Sequence, residues 1–355
     1  EQENSGGLSK DNSGAENHTT IFTIADSPLD ENLLWVGTDD GNVQLTTDGG
    51  KKWKNLVGNI TDLPKNTWVY HIEPSSHDKA TAYAVFDGHA RNDMRPYAYK
   101  TTDFGKTWTN IITDDVIGFA RNIQEDYVNP DLLFLGTEFG LYITLNGGKS
   151  WKKFTNNMPS VAVHYIDLQK QTNDLVMGTH GRGVIIIDDI SPLRAINDEV
   201  LAKDLHFFNT APAMLDETNA FGSRFGTETE FVGNPKSKAA QFIYHLKKRH
   251  TFGKVSMEVH DIDGNLLSTL SPGQSQGINI IETDGGFILE TNEAGSYFRM
   301  RDQFQGEVFA DSIQKLNLLS LYTLQGLQFV VPELAVNGVY ESKSGDGNLD
   351  ELIVD

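Results

Sequence analysis

The sequence predicts an all-β chain, with about four propeller-type β-blades in its first half and an antiparallel sandwich behind them. Three observations predict it: an eight-residue segment that recurs three times, a pair of β-rich runs ahead of each copy, and a strong hairpin signal in the second half.

The recurring segment reads TTDGGKKW ending at Trp53, TTDFGKTW ending at Trp108 and TLNGGKSW ending at Trp151. In each copy a carboxylate or amide follows a Thr by two residues (Asp48, Asp103, Asn146). A Gly stands two further on (Gly50, Gly105, Gly148) and the Trp three beyond that. A short Asp or Asn side chain closes a turn by accepting backbone N–H groups. Gly supplies a positive φ, and the Trp returns to the apolar layer as the next strand begins. Turn closure accounts for the spacing without any substrate. These residues are therefore expected to be structural and the three Trp to be core.

The runs ahead of the segments are LLWVGTDDGNVQLT (33–46), TAYAVFDG with PYAYKTT (81–102) and LLFLGTEFGLYIT (132–144). They read as paired strands around turns. A fourth copy, NDLVMGTHGRGVIIIDDI (173–190), keeps the strand pair and lacks the segment. LWVGTDDG, LFLGTEFG and LVMGTHGRG share one frame of three apolar residues, Gly, Thr, a polar residue and a later Gly. Repeats spaced by roughly 40–55 residues are on the scale of propeller blades.

Composition narrows the function classes. The 355 residues carry 49 acidic and 29 basic side chains, a formal net charge of -20. Such a surface repels a phosphate backbone and an anionic bilayer, so neither nucleic acid nor membrane insertion is expected. No apolar run approaches the roughly 20 residues of a spanning helix. The absence of Cys removes disulfides, thiolate metal sites and a Cys nucleophile. The opening EQENSGGLSKDNSGAENHTT is polar and Gly/Ser-rich, without the pattern of a signal peptide. An open set of blades leaves unpaired strand edges. The chain is therefore expected to be a piece of a longer parent whose remaining blades are its first partners.

On these residues the chain resembles the sortilin-type, BNR-repeat (Asp-box) propellers of large bacterial secreted proteins, often described as glycosyl hydrolase-like. The three boxes carry the resemblance, with SPLDENLLWVGTDDG (27–41), FDGHARND (86–93) and GTHGRGVIIIDDISPLR (178–194). It covers about residues 15 to 300. It implies an extracellular, cell-surface or periplasmic location. It does not choose among sialidases, xyloglucanase-type hydrolases and sorting receptors, all of which carry such boxes.

Behind the blades, VSMEVHDIDGNLLSTL is two alternating strands around Asp263-Gly264-Asn265. An Ig-like antiparallel sandwich is the natural class. NPKSKAAQFIYHLKKRHTFGKVSMEVHDIDGNLLSTL also resembles the FlgD-type sandwich that follows the propeller in this family. The expected organisation is a flexible segment 1–19, blades 20–194, a linker 195–233 opening with a short helix or turn, a sandwich 234–303 and a C-terminal segment 304–355. In that last segment SKSGDGNLDELIVD alternates oxygen-bearing side chains with Gly. Asp346, Asn348 and Asp350 are the expected ligands should the loop hold calcium, and no other cofactor is expected.

Glycosidase chemistry needs two carboxyl groups flanking a bond. Glu138, Asp39 and Asp93 fall in turns after strands, but no spacing singles out a pair, so no catalytic residue is assigned. An imidazole beside a guanidinium holds an anionic or sugar ligand well. His180 and Arg182 in GTHGRG, and His89 and Arg91 in FDGHARND, are the binding candidates. The reading that follows is a secreted or cell-surface binding protein without catalysis, whose loops take a protein, peptide or glycan. The alternative is an Asp-box glycoside hydrolase.

Overall fold

The computed structural model describes residues 19–209 apart from 156. Beyond them it describes 213–214, 241–251, 253, 255–260, 266–282, 297–302, 306–307, 318–319, 338–342 and 349–354. The chain divides into two units, Glu1–Arg194 and Ala195–Asp355.

The first unit is a partial β-propeller of four antiparallel sheets in chain order. The first sheet is β1 (Ile21–Ser27), β2 (Asp30–Thr38), β3 (Val43–Thr46) and β4 (Lys54–Asn55). The second is β5 (Trp68–Pro74), β6 (Ala82–Asp87), β7 (Tyr97–Thr101) and β8 (Thr109–Asn110). The third is β9 (Ala120–Glu125), β10 (Leu133–Thr137), β11 (Gly140–Thr144) and β12 (Lys152–Lys153). The fourth has three strands, β13 (Ala162–Gln169), β14 (Asp174–His180) and β15 (Val184–Ile187). Strand β1 packs on β5, β5 on β9 and β9 on β13, so the first strand of each sheet is the innermost.

Apolar residues on both faces of the middle sheets make three successive cores, because each middle sheet is covered twice. Trp35 and Leu45 meet Ile72 and Phe86 in the first, and Tyr83 and Val85 meet Ile123 and Leu135 in the second. Leu132 and Phe134 meet Ile166 and Met177 in the third.

The recurrent turn is built identically three times. Thr46 Oγ1 donates to Asp48 Oδ1 (2.9 Å) and accepts from Gly50 N (3.0 Å), while Asp48 Oδ1 accepts from Lys52 N (2.9 Å). Thr101, Asp103, Gly105 and Thr107 repeat the pattern, as do Thr144, Asn146, Gly148 and Ser150. The bonds from Lys52 and Thr107 to the two carboxylates hold Asp48 and Asp103 below the ordinary carboxylate value. They are acceptors in a turn.

The three Trp differ from one another. Trp151 is fully buried and donates through Nε1 to Ile111 O of the preceding sheet (2.7 Å). Trp108 is half-buried and meets Trp35 of the preceding sheet edge to face at 5.9 Å. Trp53, expected in the core, is 42% exposed. The reason is its place in the row: each turn leans on the sheet before it, and among the described residues none precedes the first.

Arg194 fastens the end of this unit. From α1 (Ser191–Ala195) it donates to both carboxylate oxygens of Asp126, Nη2 to Oδ1 at 2.7 Å and Nε to Oδ2 at 2.9 Å. Asp126 also accepts from Asn129 N (2.8 Å) and is fully buried.

The second unit begins with α2 (Asp198–Ala202), capped by Asn197, whose side chain accepts from Val200 N (2.9 Å). β16 (Leu205–Phe207) pairs with Gln241–Leu246, which pairs with Gly277–Glu282. A separate antiparallel sheet runs Leu266–Leu270, Val255–His260, Tyr297–Asp302, Gly306–Glu307. Its first two strands are the pair predicted around Asp263-Gly264-Asn265. A hairpin of Gly338–Ser342 with Leu349–Val354 lies in the C-terminal segment. Asp346 and Asn348 lie outside the described residues. Asp350 falls on the second strand of that hairpin.

Candidate functional site at the innermost strands

Each innermost strand carries a β-bulge near its start. The pairing registers skip Phe22 in β1, Tyr70 in β5, Arg121 in β9 and His164 in β13. A bulge leaves one residue unpaired and re-aims its side chain, and these four turn toward one another. The Phe22 and Tyr70 rings are 5.2 Å apart, with Trp68 4.6 Å from Phe22. The Arg121 guanidinium lies over Tyr70 at 4.5 Å and over Phe119 at 4.7 Å.

Beneath the guanidinium sits Asp87, a fully buried carboxylate at the end of β6. Its Oδ2 accepts from Arg121 Nη1 (2.9 Å), and its Oδ1 accepts from the backbone N–H of His89 (2.9 Å). The His89 ring bonds the same carboxylate through Nδ1 (2.7 Å) and stacks on Phe119 at 4.7 Å. Arg121 Nε is buried without a hydrogen-bond partner. On the far side His164 stacks on exposed His180 at 5.3 Å. Burial lowers the pKa of His164, with the Arg121 charge next among the causes, so the imidazole is held neutral further into acid than usual. The arrangement combines an aromatic shelf with one guanidinium and three imidazoles, in a chain whose formal charge is -20.

A second polar group faces the same interior. Glu73 Oε1 accepts from Gln124 Nε2 (2.5 Å), and Glu73 Oε2 is 3.6 Å from His71 Nε2. Burial raises the Glu73 pKa above its ordinary value of 4.5. Nearby Glu125 adds to the shift, and His71 and Gln124 oppose it. Folding thus disfavours the charged form. The contribution of Glu73 to stability is complete below pH 4.5 and is lost as pH rises through the higher folded value. Glu73→Gln, which keeps the acceptor for Gln124, is expected to raise Tm at pH 7 by ~2–4 °C, as about 1 kcal/mol does in a unit of this size. At pH 4 it is expected to leave Tm unchanged. Thermal melts at the two pH values check this.

Of the residues nominated from sequence, His89 and His180 join the site. Arg91 is half-buried and donates through Nη1 to Lys65 O (2.9 Å). Arg182 is exposed in the turn after His180. Asp39 Oδ1 accepts from Thr19 N and Thr20 N, both at 2.8 Å. Asp93 is held by Arg95 through two bonds (2.8 and 2.7 Å) and by Tyr97 Oη (2.7 Å), and the Arg95 bond leads in pulling its pKa down to about 2. Glu138 is half-buried, and its backbone N–H donates to Phe119 O (3.1 Å). These three carboxylates are not brought together. Sequence reasoning missed Phe22, Trp68, Tyr70, Asp87, Phe119, Arg121 and His164. One signal was present: AYAVFDGH departs from the Gly-Thr frame of the other three repeats, and the departure introduces Asp87 and His89.

Fold and site together define a class, a partial β-propeller with a polar and aromatic centre. No family model matches the chain, and no curated protein matches it. Among solved structures it is similar to YCF48 bound to D1 peptide, with 17% identity and a TM-score of 0.37 over 49% of this chain and 52% of that one. It is similar to the GH74 enzyme of Niastella koreensis, with 13% identity and a TM-score of 0.38 over 47% of this chain and 28% of that one. An ancestral GH74 enzyme gives 12% identity and a TM-score of 0.39 over 94% of this chain and 40% of that one. The chain thus spans about half, or less, of the length of these proteins.

Proposed function

We propose that this chain is part of a secreted or cell-surface binding protein of the Asp-box, sortilin-like kind, without catalysis of its own. Its ligand is a protein, peptide or glycan taken at the innermost strands. The observation that carries the reading is the convergence of the bulged residues Phe22, Tyr70, Arg121 and His164 from four different sheets. Bulges are retained where a side chain must be re-aimed. Exposed aromatic surface beside a guanidinium suits a ligand with an apolar or ring-bearing part and an acidic group. Further blades of a longer parent, and calcium at Asp346, Asn348 and Asp350, belong to the same proposal.

Titration of the purified protein against a peptide library and a glycan array tests it. Phe22→Ser and His180→Ala alter exposed residues and leave the fold intact. Each is expected to weaken the selected ligand about tenfold, the effect of about 1.4 kcal/mol. A ligand whose affinity neither variant changes would move binding elsewhere and refute the reading.

An Asp-box glycoside hydrolase is the second reading. It is favoured by Glu73, whose raised pKa is what a general acid requires. Polysaccharide turnover abolished by Glu73→Gln would replace the first reading with this one.

A further inference from the structure

Arg121 is almost wholly buried, at 9% exposure, and part of its bonding capacity is unused. Nη1 is taken by Asp87 (2.9 Å), Nε is buried without a partner, and among the described residues Nη2 makes no hydrogen bond. A guanidinium directs its N–H groups outward in its own plane, and Nε–H with one Nη–H forms a two-pronged edge. A buried charged donor without an acceptor costs folding free energy, which a ligand oxygen placed on it recovers. The second and third sheets, which supply Asp87 and Arg121, each have a neighbouring sheet on both faces. The unused edge therefore lies inside the row of sheets and not at its end.

Two other guanidinium groups use that same edge, each on a carboxylate. Arg95 holds Asp93 through Nε (2.8 Å) and Nη2 (2.7 Å), and Arg194 holds Asp126 through Nε (2.9 Å) and Nη2 (2.7 Å). At Arg121 the protein's own carboxylate occupies Nη1 instead, and the two-pronged edge is left open. Tyr70 and Phe119 lie against the guanidinium at 4.5 and 4.7 Å, which fixes its plane.

His164 stands beside this charge. The strands packed on β13 are β9, β10, β11 and β14. β9 brings Arg121, and also Glu125, whose carboxylate is committed to Ser75, Ser76 and Tyr83. β10 has no titratable side chain, β11 has only Tyr142, and β14 brings His180 with Asp174 at its far end. On its own strand Tyr165 and Asp167 follow. The Arg121, His180 and His89 charges oppose a proton on His164, and Asp87 favours one.

We infer, on the reading proposed above, that the ligand presents a carboxylate held side-on by Nε and Nη2 of Arg121, and that His164 gains a proton as it binds. Asp87 acts as a positioning residue, holding Nη1 so that the other edge faces the ligand. A bound carboxylate sets a second negative charge against the guanidinium and so relieves the repulsion that opposes the imidazolium. An acidic peptide and a uronic-acid glycan share this chemistry.

Calorimetric titration with two matched pairs tests it: N-acetylphenylalanine against its amide, and phenyl glucuronide against phenyl glucoside. At least one acid is expected to bind about tenfold or more tighter than its neutral partner, as a charge-assisted bidentate pair requires. The pair that shows the preference identifies the source as peptide or glycan. Arg121→Lys keeps a cation for Asp87 but has no two-pronged edge, and is expected to abolish the preference. Affinity for the acid is expected to rise about threefold from about pH 7.5 to about pH 5.5, where the carboxylate is still ionised, and His164→Phe is expected to remove that rise. Neither acid preferred, phenyl phosphate bound as tightly as the acids, or a preference that survives Arg121→Lys would each overturn the inference. So would an affinity that does not change with pH. Ligands selected from the library or array would in that event still bind through the aromatic shelf, so the broader reading fails only on its own test.

Discussion

Trp151→Ala is expected to cost about 3–5 kcal/mol of unfolding free energy, whereas Trp53→Ala changes it by less than ~0.5 kcal/mol. The two Trp end the same eight-residue segment, and their turns have the same hydrogen bonds. They differ in what lies beyond and in the indole bond, which Trp53 makes to Gly50 O of its own turn (3.1 Å). Trp151 fills the space between the second and third sheets beside Ile111, Ile123 and Leu135, and its indole N–H satisfies a buried carbonyl. Truncation opens a cavity and leaves Ile111 O unpaired, and both effects destabilise. Trp53 has no such neighbours to lose. Urea unfolding measures both. Equal losses would mean that the Trp stabilises its own turn and contributes nothing between sheets.

Arg194→Met is expected to cost about 3–5 kcal/mol, because it leaves the buried Asp126 carboxylate without its counter-ion. Two of its guanidinium nitrogens contact Asp126, and Nη1 reaches Asn173. Adding Asp126→Asn to Arg194→Met removes the stranded charge while keeping an oxygen for Asn129 N. The double variant is therefore expected to be more stable than Arg194→Met alone, a coupling that a double-mutant cycle reads directly. A loss below about 1 kcal/mol for Arg194→Met would instead show a pair as weak as one in open water.

The repeat could be read from sequence because its chemistry is local. Thr46, Asp48, Gly50 and Lys52 bond to one another within a few positions, so their spacing carries the whole geometry. The strand pairs were legible for a similar reason, since apolar clustering around a Gly-Thr corner marks two strands and the turn between them. The Asp263-Gly264-Asn265 signal likewise placed Val255–His260 beside Leu266–Leu270. The candidate site was legible only in part. His89 and His180 drew notice because they sit in Gly-rich turns, while Arg121 in GFARNIQE has no such setting.

The sequence by itself determined which segments pair and how each turn closes, because those interactions join residues close together along the chain. Tertiary structure decided which Trp is buried, which carboxylates are consumed by neighbouring cations and which side chains share the centre. Phe22, Tyr70, Arg121 and His164 come from four separate repeats, and only register slips in the innermost strands together with the stacking of sheets bring them face to face. A slip of one residue reverses which side of a strand a side chain occupies. That reversal depends on pairing with a partner strand, and no local spacing of residue types records it.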